Sequence, residues 1–170
     1  MLEPAVDRPL PSLDLDALGR LGAGALVRLY RHARAPRSLA DLAKTEHGRL
    51  LALAPPFDRA QPLLRKLASS PLFPWLGKRF DAHGDVVGEG KNRFKLLGEL
   101  AAFRVRYGGS VLDSERCAVL DYDLPENPAP LRLVMDELRE VRPGLFFGPA
   151  VVRTRTEPKL VLFFAVQGPS

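Results

Sequence analysis

The sequence predicts an α+β fold. N-terminal helices pack on a curved antiparallel sheet or small β-barrel, with one helix inserted before the last two strands. Three observations predict it. Apolar positions recur at helical spacing through residues 1–70, short β-like runs separated by turn residues fill 71–170, and 159–167 is apolar on both faces. In that last run Leu160, Leu162, Phe164 and Val166 alternate with Val161, Phe163 and Ala165, so each face needs a cover. A barrel interior on one side and the helices on the other would supply both. The 170 residues suit one compact unit, with a helical segment at 1–70 and a barrel-like domain at 71–170.

Taking the elements in order, Asp14 or Asp16 caps a first helix marked by Leu15, Leu18, Leu26 and Leu29 and stopped near Ala35-Pro36. Glycines 19, 22 and 24 inside it follow no strand and read as close packing or a break. Ser38 and Asp41 resemble a capping box for a second helix through Leu39, Leu42, Leu50 and Leu53, ended by Pro55-Pro56. A third segment after Asp58 tolerates Pro62 in its opening turn and buries Leu63, Leu64 and Leu67. The β-like runs are 73–80, 92–97, 101–110, 116–122, 145–156 and 159–167. Asp81-Ala-His-Gly, Gly108-Gly109, Pro143-Gly144 and Glu157-Pro158 punctuate them, and Gly88-Glu-Gly90-Lys-Asn-Arg reads as a turn. Within 130–141, Leu131, Val134, Leu138 and Val141 share a helical face, with Arg132, Asp136, Arg139 and Glu140 elsewhere. That pattern predicts the inserted helix, with Asp136-Glu137 pairing Arg132 and Arg139 on an exposed side. Short connections favour antiparallel pairing, and successive antiparallel strands hide their edges by curling.

Composition excludes several classes. Hydrophobic residues are 46% and charged residues 26%, which is ordinary for a globular chain. The single cysteine, Cys117, excludes an intrachain disulfide or a multi-thiolate metal cluster. It sits mid-strand among apolar neighbours and reads as a buried structural thiol. His32, His47 and His83 lack zinc-ligand spacing, and Asp121-x-Asp123 alone is not a calcium loop. Neither a metal nor a cofactor is expected. The net charge is +5, with eleven Lys/Arg against seven Asp/Glu in 1–70 and fourteen against thirteen in the remainder. Arg28, Arg31, Arg34 and Arg37 step by three and wind around a helix, which suits a solvated or protein-facing surface and not nucleic acid. The opening Met1-Leu-Glu-Pro-Ala-Val-Asp-Arg has no basic start or apolar core, and no run approaches membrane-spanning length. A cytoplasmic protein without a membrane span is expected.

The segment Ser70-Pro-Leu-Phe-Pro-Trp-Leu-Gly-Lys-Arg-Phe resembles the opening of calycin barrels, the lipocalin and fatty-acid-binding-like superfamily. The resemblance would cover 71–167, with Trp75 as the first-strand tryptophan. The resemblance implies an apolar cavity for a small hydrophobic molecule, with Arg153 or Arg155 packing over the tryptophan. Phe73 stands where lipocalins carry glycine, six or seven strands are legible instead of eight, and the helix at 130–141 precedes the last strands.

Strand alternation also nominates polar residues. Cys117, Val119, Asp121 and Asp123 share one face of their run, Arg104 and Arg106 share another, and so do Arg153 and Arg155. Facing a cavity, these arginines would hold a carboxylate, with Asp121 or Asp123 orienting them; on the outside they are solvent-side ion pairs. Phe147 and Phe164, with Trp75, would form cavity walls or simply fill a core. The leading expectation is therefore carriage of a small hydrophobic, lipid-like or polyketide-like molecule. A cavity enzyme (cyclase, isomerase or lipid-modifying) is the alternative, with Asp121, Tyr122 and Asp123 as candidates for proton transfer. A third reading is a protein-interaction module using the basic helices, which requires a filled barrel and an exposed apolar helix face.

Overall fold

A computed structural model describes residues 13–68, 70 and 74–169. Asp14 accepts a hydrogen bond from the Ala17 amide and starts α1 (Leu15–Gly19). After a break at Gly22, α2 (Ala23–His32) follows. Eight strands come next: β1 (His47–Leu53), β2 (Trp75–Ala82), β3 (Val87–Phe94), β4 (Gly98–Gly109), β5 (Arg116–Asp121), β6 (Val134–Arg142), β7 (Leu145–Val152) and β8 (Lys159–Gln167). Between β1 and β2 lies α3 (Gln61–Ala68).

All the pairings are antiparallel and run β1-β8-β7-β6-β5-β4-β3-β2. The sheet thus curls into a nearly closed barrel whose two edges, β1 and β2, come together. Glycine permits that approach. A Cβ on Gly48 would lie 2.4 Å from Gly77 Cα and 2.7 Å from the Trp75 ring, and Gly77 itself has φ +130°, a region disfavoured for side-chain-bearing residues.

The expectation that both faces of the last strand are covered holds. Leu162, Phe164 and Val166 face the barrel interior with Phe103, Leu120, Leu138 and Phe146. Phe163 and Ala165 face outward, where Leu18, Leu26 and Tyr30 of α1 and α2 cover them. Leu160 joins the outer layer, not the inner one, because a bulge opposite Ala150/Val151 shifts the register of β8. Leu39 and Leu42 belong to the inner cluster, and the Leu39 amide donates to the Asp85 carbonyl of the β2–β3 turn. They plug the end of the barrel that carries that turn.

Several sequence expectations are corrected. The second helix, expected through Leu53, is only a 3-10 segment at Leu39–Lys44 followed by β1. The run Leu50-Leu-Ala-Leu is apolar because β1 contacts both layers, and a short apolar run does not declare its period. The inserted helix at 130–141 is a 3-10 turn, Leu131–Leu133, leading into β6. Val134 and Leu138 are four apart, which satisfies a helical face and a strand face equally. The supposed exposed ion-pair side is instead buried, with Asp136 4%, Glu137 0% and Arg139 1% exposed. Gly88-Glu-Gly90-Lys-Asn-Arg is strand, not turn. Trp75 opens the second strand of the barrel, not the first. Leu63 is exposed, while the expected burial of Leu64 and Leu67 and the strand start at Phe73 lie outside the described residues.

Candidate functional site

Because neighbouring strands are antiparallel, one end of the barrel gathers the starts of β2, β4, β6 and β8 and the ends of β3, β5 and β7. At this end a cavity of about 380 Å³ opens, walled by Leu50, Phe94, Leu131, Val134, Leu162 and Phe164, with Trp75, Ala101 and Ala150 completing the apolar rim. The plugged opposite end makes the barrel a cup. Ala101 is the bulged residue of β4 opposite Lys91/Asn92 and has φ +59°, a left-handed conformation held for a non-glycine residue at the site.

Four polar side chains also line this cup: Lys78, Asn92, Tyr122 and Asp136. Each points inward because strand alternation places it in the same row as inner-core residues: Lys78 with Phe80, Tyr122 with Leu120, Asp136 with Leu138. Lys78 Nζ donates three hydrogen bonds, to Asn92 Oδ1 (2.9 Å), the Tyr122 hydroxyl (2.6 Å) and Asp136 Oδ2 (2.8 Å). Tyr122 donates to Asp136 Oδ2 (3.0 Å) and accepts from Asn92 Nδ2 (2.9 Å). Trp75 Nε1 donates to Asn92 Oδ1 (3.0 Å). Four rings surround the ammonium, with centroids 4.8 Å (Phe164), 5.2 Å (Phe103), 5.3 Å (Tyr122) and 5.8 Å (Trp75) away.

Burial pulls the Lys78 ammonium below the usual lysine range, and the Asp136 charge opposes that pull. Burial and the same carboxylate hold the Tyr122 phenol well above its ordinary value. The cluster is a desolvated ion pair inside a hydrogen-bond network, an arrangement that survives burial only when its members satisfy one another.

The sequence-predicted residues divide cleanly. Trp75, Phe164 and Tyr122 are brought together at the cup. Asp121, Asp123 and the arginines are not. Asp121 pairs with Arg153 and Asp123 with Arg132 on the outer side, Arg104 lies opposite Asp121 in the β4–β5 register, and Arg104, Arg106 and Arg155 are exposed. Among the described residues no arginine packs over Trp75 as the resemblance implied; Lys78 takes that place. Phe147 lies in the outer layer, edge-on to Tyr30 at 5.8 Å. The residues that sequence reasoning missed are Lys78, Asn92 and Asp136. The available signal was a charged or amide residue at an inward position of an otherwise apolar strand row, legible for Lys78 from Trp75-Leu-Gly-Lys-Arg-Phe.

A second buried polar group ties the helices to the barrel. Glu137 accepts from the Tyr30 hydroxyl (2.9 Å), the Ser110 hydroxyl (2.6 Å) and the Val111 amide (2.7 Å). Arg139 grips Asp113 through both terminal nitrogens (2.7 and 2.6 Å) and reaches the Tyr30, Glu115 and Arg116 carbonyls. Every polar atom there is directed at protein, so this is a clamp. Cys117 is fully buried beside it, and burial raises its thiol from 9.0 to about 12. Among the described residues, no three His, Cys, Asp or Glu side chains cluster as metal ligands, and no helix is long and apolar enough to cross a membrane.

No protein-family model and no curated protein matches the chain. A crystal structure of a protein from Thermomonospora curvata is similar to it, with a TM-score of 0.48 and 16% identity over 87% of this chain and 88% of that one. Neither the fold nor the function rests on that likeness.

Proposed function

We propose that the protein is a cytoplasmic carrier that binds a small hydrophobic molecule in the open cup of its barrel. The observation that carries this reading is the shape and lining of the cup: about 380 Å³, closed at one end, apolar around the rim and polar only at Lys78, Asn92, Tyr122 and Asp136. Few polar groups among apolar walls is the usual make-up of a ligand pocket. A calycin-like relationship is supported by the seven-strand antiparallel meander β2–β8, extended to eight strands by β1 on β8, and by Trp75 beside the cavity.

The test is fluorescence of the neutral dye N-phenyl-1-naphthylamine, alongside native mass spectrometry of the purified protein. Parent protein enhances the dye, and Leu162→Trp, which fills the cup from β8, abolishes the enhancement while leaving the circular dichroism unchanged. Equal enhancement by the parent and the filled variant would remove the cup as the binding site.

A specific observation favours a second reading, catalysis in the same cavity. Asp136 is a buried carboxylate that lines it, which suits proton transfer. Of the sequence candidates only Tyr122 belongs to such a site. The two readings separate on turnover: a carrier returns its ligand unchanged. The interaction-module reading calls for a filled barrel, whereas the barrel has an open cavity; of the helices' apolar residues, Leu26 and Tyr30 are fully buried and Leu63 is exposed.

A further inference from the structure

We propose that the ligand of the cup presents a neutral hydroxyl, an alcohol or a phenol, which donates a hydrogen bond to Asp136 Oδ1. This rests on the carrier reading and names the chemistry of its polar end. The argument is a count of hydrogen-bonding capacity at the four polar residues. The ammonium of Lys78 has three protons, and all three are used within the cluster. Both amide protons of Asn92 are used, one on the Ala101 carbonyl (3.4 Å) and one on Tyr122 (2.9 Å). Its oxygen accepts twice, from Trp75 and Lys78. The Tyr122 hydroxyl accepts twice and donates once. Trp75 spends its one N–H on Asn92.

Asp136 alone has spare capacity. Its Oδ2 takes both Lys78 and Tyr122, while Oδ1 accepts from none of the described residues. The residue lines the cavity with its side chain only 5% exposed. The cup therefore offers a newcomer an acceptor and no donor. A carboxylate or phosphate would meet no free N–H or O–H, and its desolvation would go uncompensated. An ammonium would find Asp136 already neutralised by Lys78 and would bring an unbalanced charge into an apolar cup. A hydroxyl satisfies the open lone pairs without adding charge, and its apolar body lies against Leu50, Leu162 and Phe164.

The experiment is displacement of N-phenyl-1-naphthylamine by four matched chains: decan-1-ol, decyl methyl ether, decanoate and decylammonium. The ether can accept but cannot donate. Decan-1-ol is expected to displace the dye at a concentration about tenfold or more below the ether, as a hydrogen bond to a charged acceptor implies, with both ions weaker still. In Asp136→Asn, the amide oxygen is drawn to Lys78 and Tyr122, so the NH₂ faces the cup. The alcohol-over-ether ratio then falls to about two or less. Equal displacement by alcohol and ether on the parent protein, or tighter displacement by decanoate, overturns the hydroxyl assignment while leaving carriage in place. Failure of the parent to bind the dye or any of the four chains overturns both. The parent comparison decides the matter even if Asp136→Asn does not fold.

Discussion

Replacing Lys78 with Met tests whether the ion pair under the cup is held by mutual satisfaction. Lys78 is 4% exposed, and the substitution keeps most of its length and apolar stem. It removes one charge and three hydrogen bonds of 2.6 to 2.9 Å. The Asp136 carboxylate is left buried with only Tyr122 to satisfy it. Removing one partner of a buried pair costs about 3–5 kcal/mol, a large share of the roughly 5–15 kcal/mol that holds a domain folded. With a urea slope of about 2 kcal/mol per molar, the midpoint falls by about 2 M. Lys78→Met/Asp136→Leu removes both charges together and recovers at least half of that loss, because the desolvation cost disappears with them. Urea unfolding followed by circular dichroism measures all three proteins. A Lys78→Met variant within about 1 kcal/mol of the parent, or a double variant weaker than the single, would refute the view that this carboxylate depends on its ammonium.

Three further outcomes are expected. Leu42→Ala loosens the plug of the closed end and costs about 2–5 kcal/mol, read as a drop in the urea midpoint; a loss under about 1 kcal/mol would mean that Leu42, fully buried in the inner cluster, is not packed as the structure has it. Tyr30→Phe removes a 2.9 Å bond to the Glu137 carboxylate and costs about 1.5–3 kcal/mol in the same assay, while dye binding at the cup, on the opposite face of β6, is unchanged; loss of dye binding in a folded variant would contradict the separation of clamp from cup. Burial raises the folded Cys117 thiol from 9.0 to about 12. Above pH 9 the unfolded chain therefore releases a proton that the folded chain keeps, and the stability present below pH 9 is lost as pH climbs toward 12. Each pH unit in that window removes up to about 1.4 kcal/mol. Cys117→Ala flattens this decline between pH 9 and 11, and parallel curves for the two proteins would sink the assignment.

Where sequence and structure part, the cause is visible in single residues. Leu160 to Val166 declared a two-faced strand, because only a segment covered on both sides can be apolar at consecutive positions. Leu39 and Val134 misled because spacings of three and four serve a helix while an even spacing also serves a strand. Arg104, Arg106, Asp121 and Asp123 alternate correctly, yet alternation gives a face without saying whether it looks in or out. At β5 the inward row is Ala118, Leu120 and Tyr122, so the carboxylates on the other row meet Arg153 and Arg132 on the outer side of the barrel.

The sequence by itself determined the α+β class, the helical cover over a curling antiparallel sheet and the buried isolated thiol. These follow from local periodicity and composition, which each segment carries alone. Only the tertiary structure decided that Lys78, Asn92, Tyr122 and Asp136 meet. They come from β2, β3, the end of β5 and β6, up to 58 residues apart in the chain. Their affinity for one another exists only where barrel closure removes water and lets charges and hydrogen bonds act at short range.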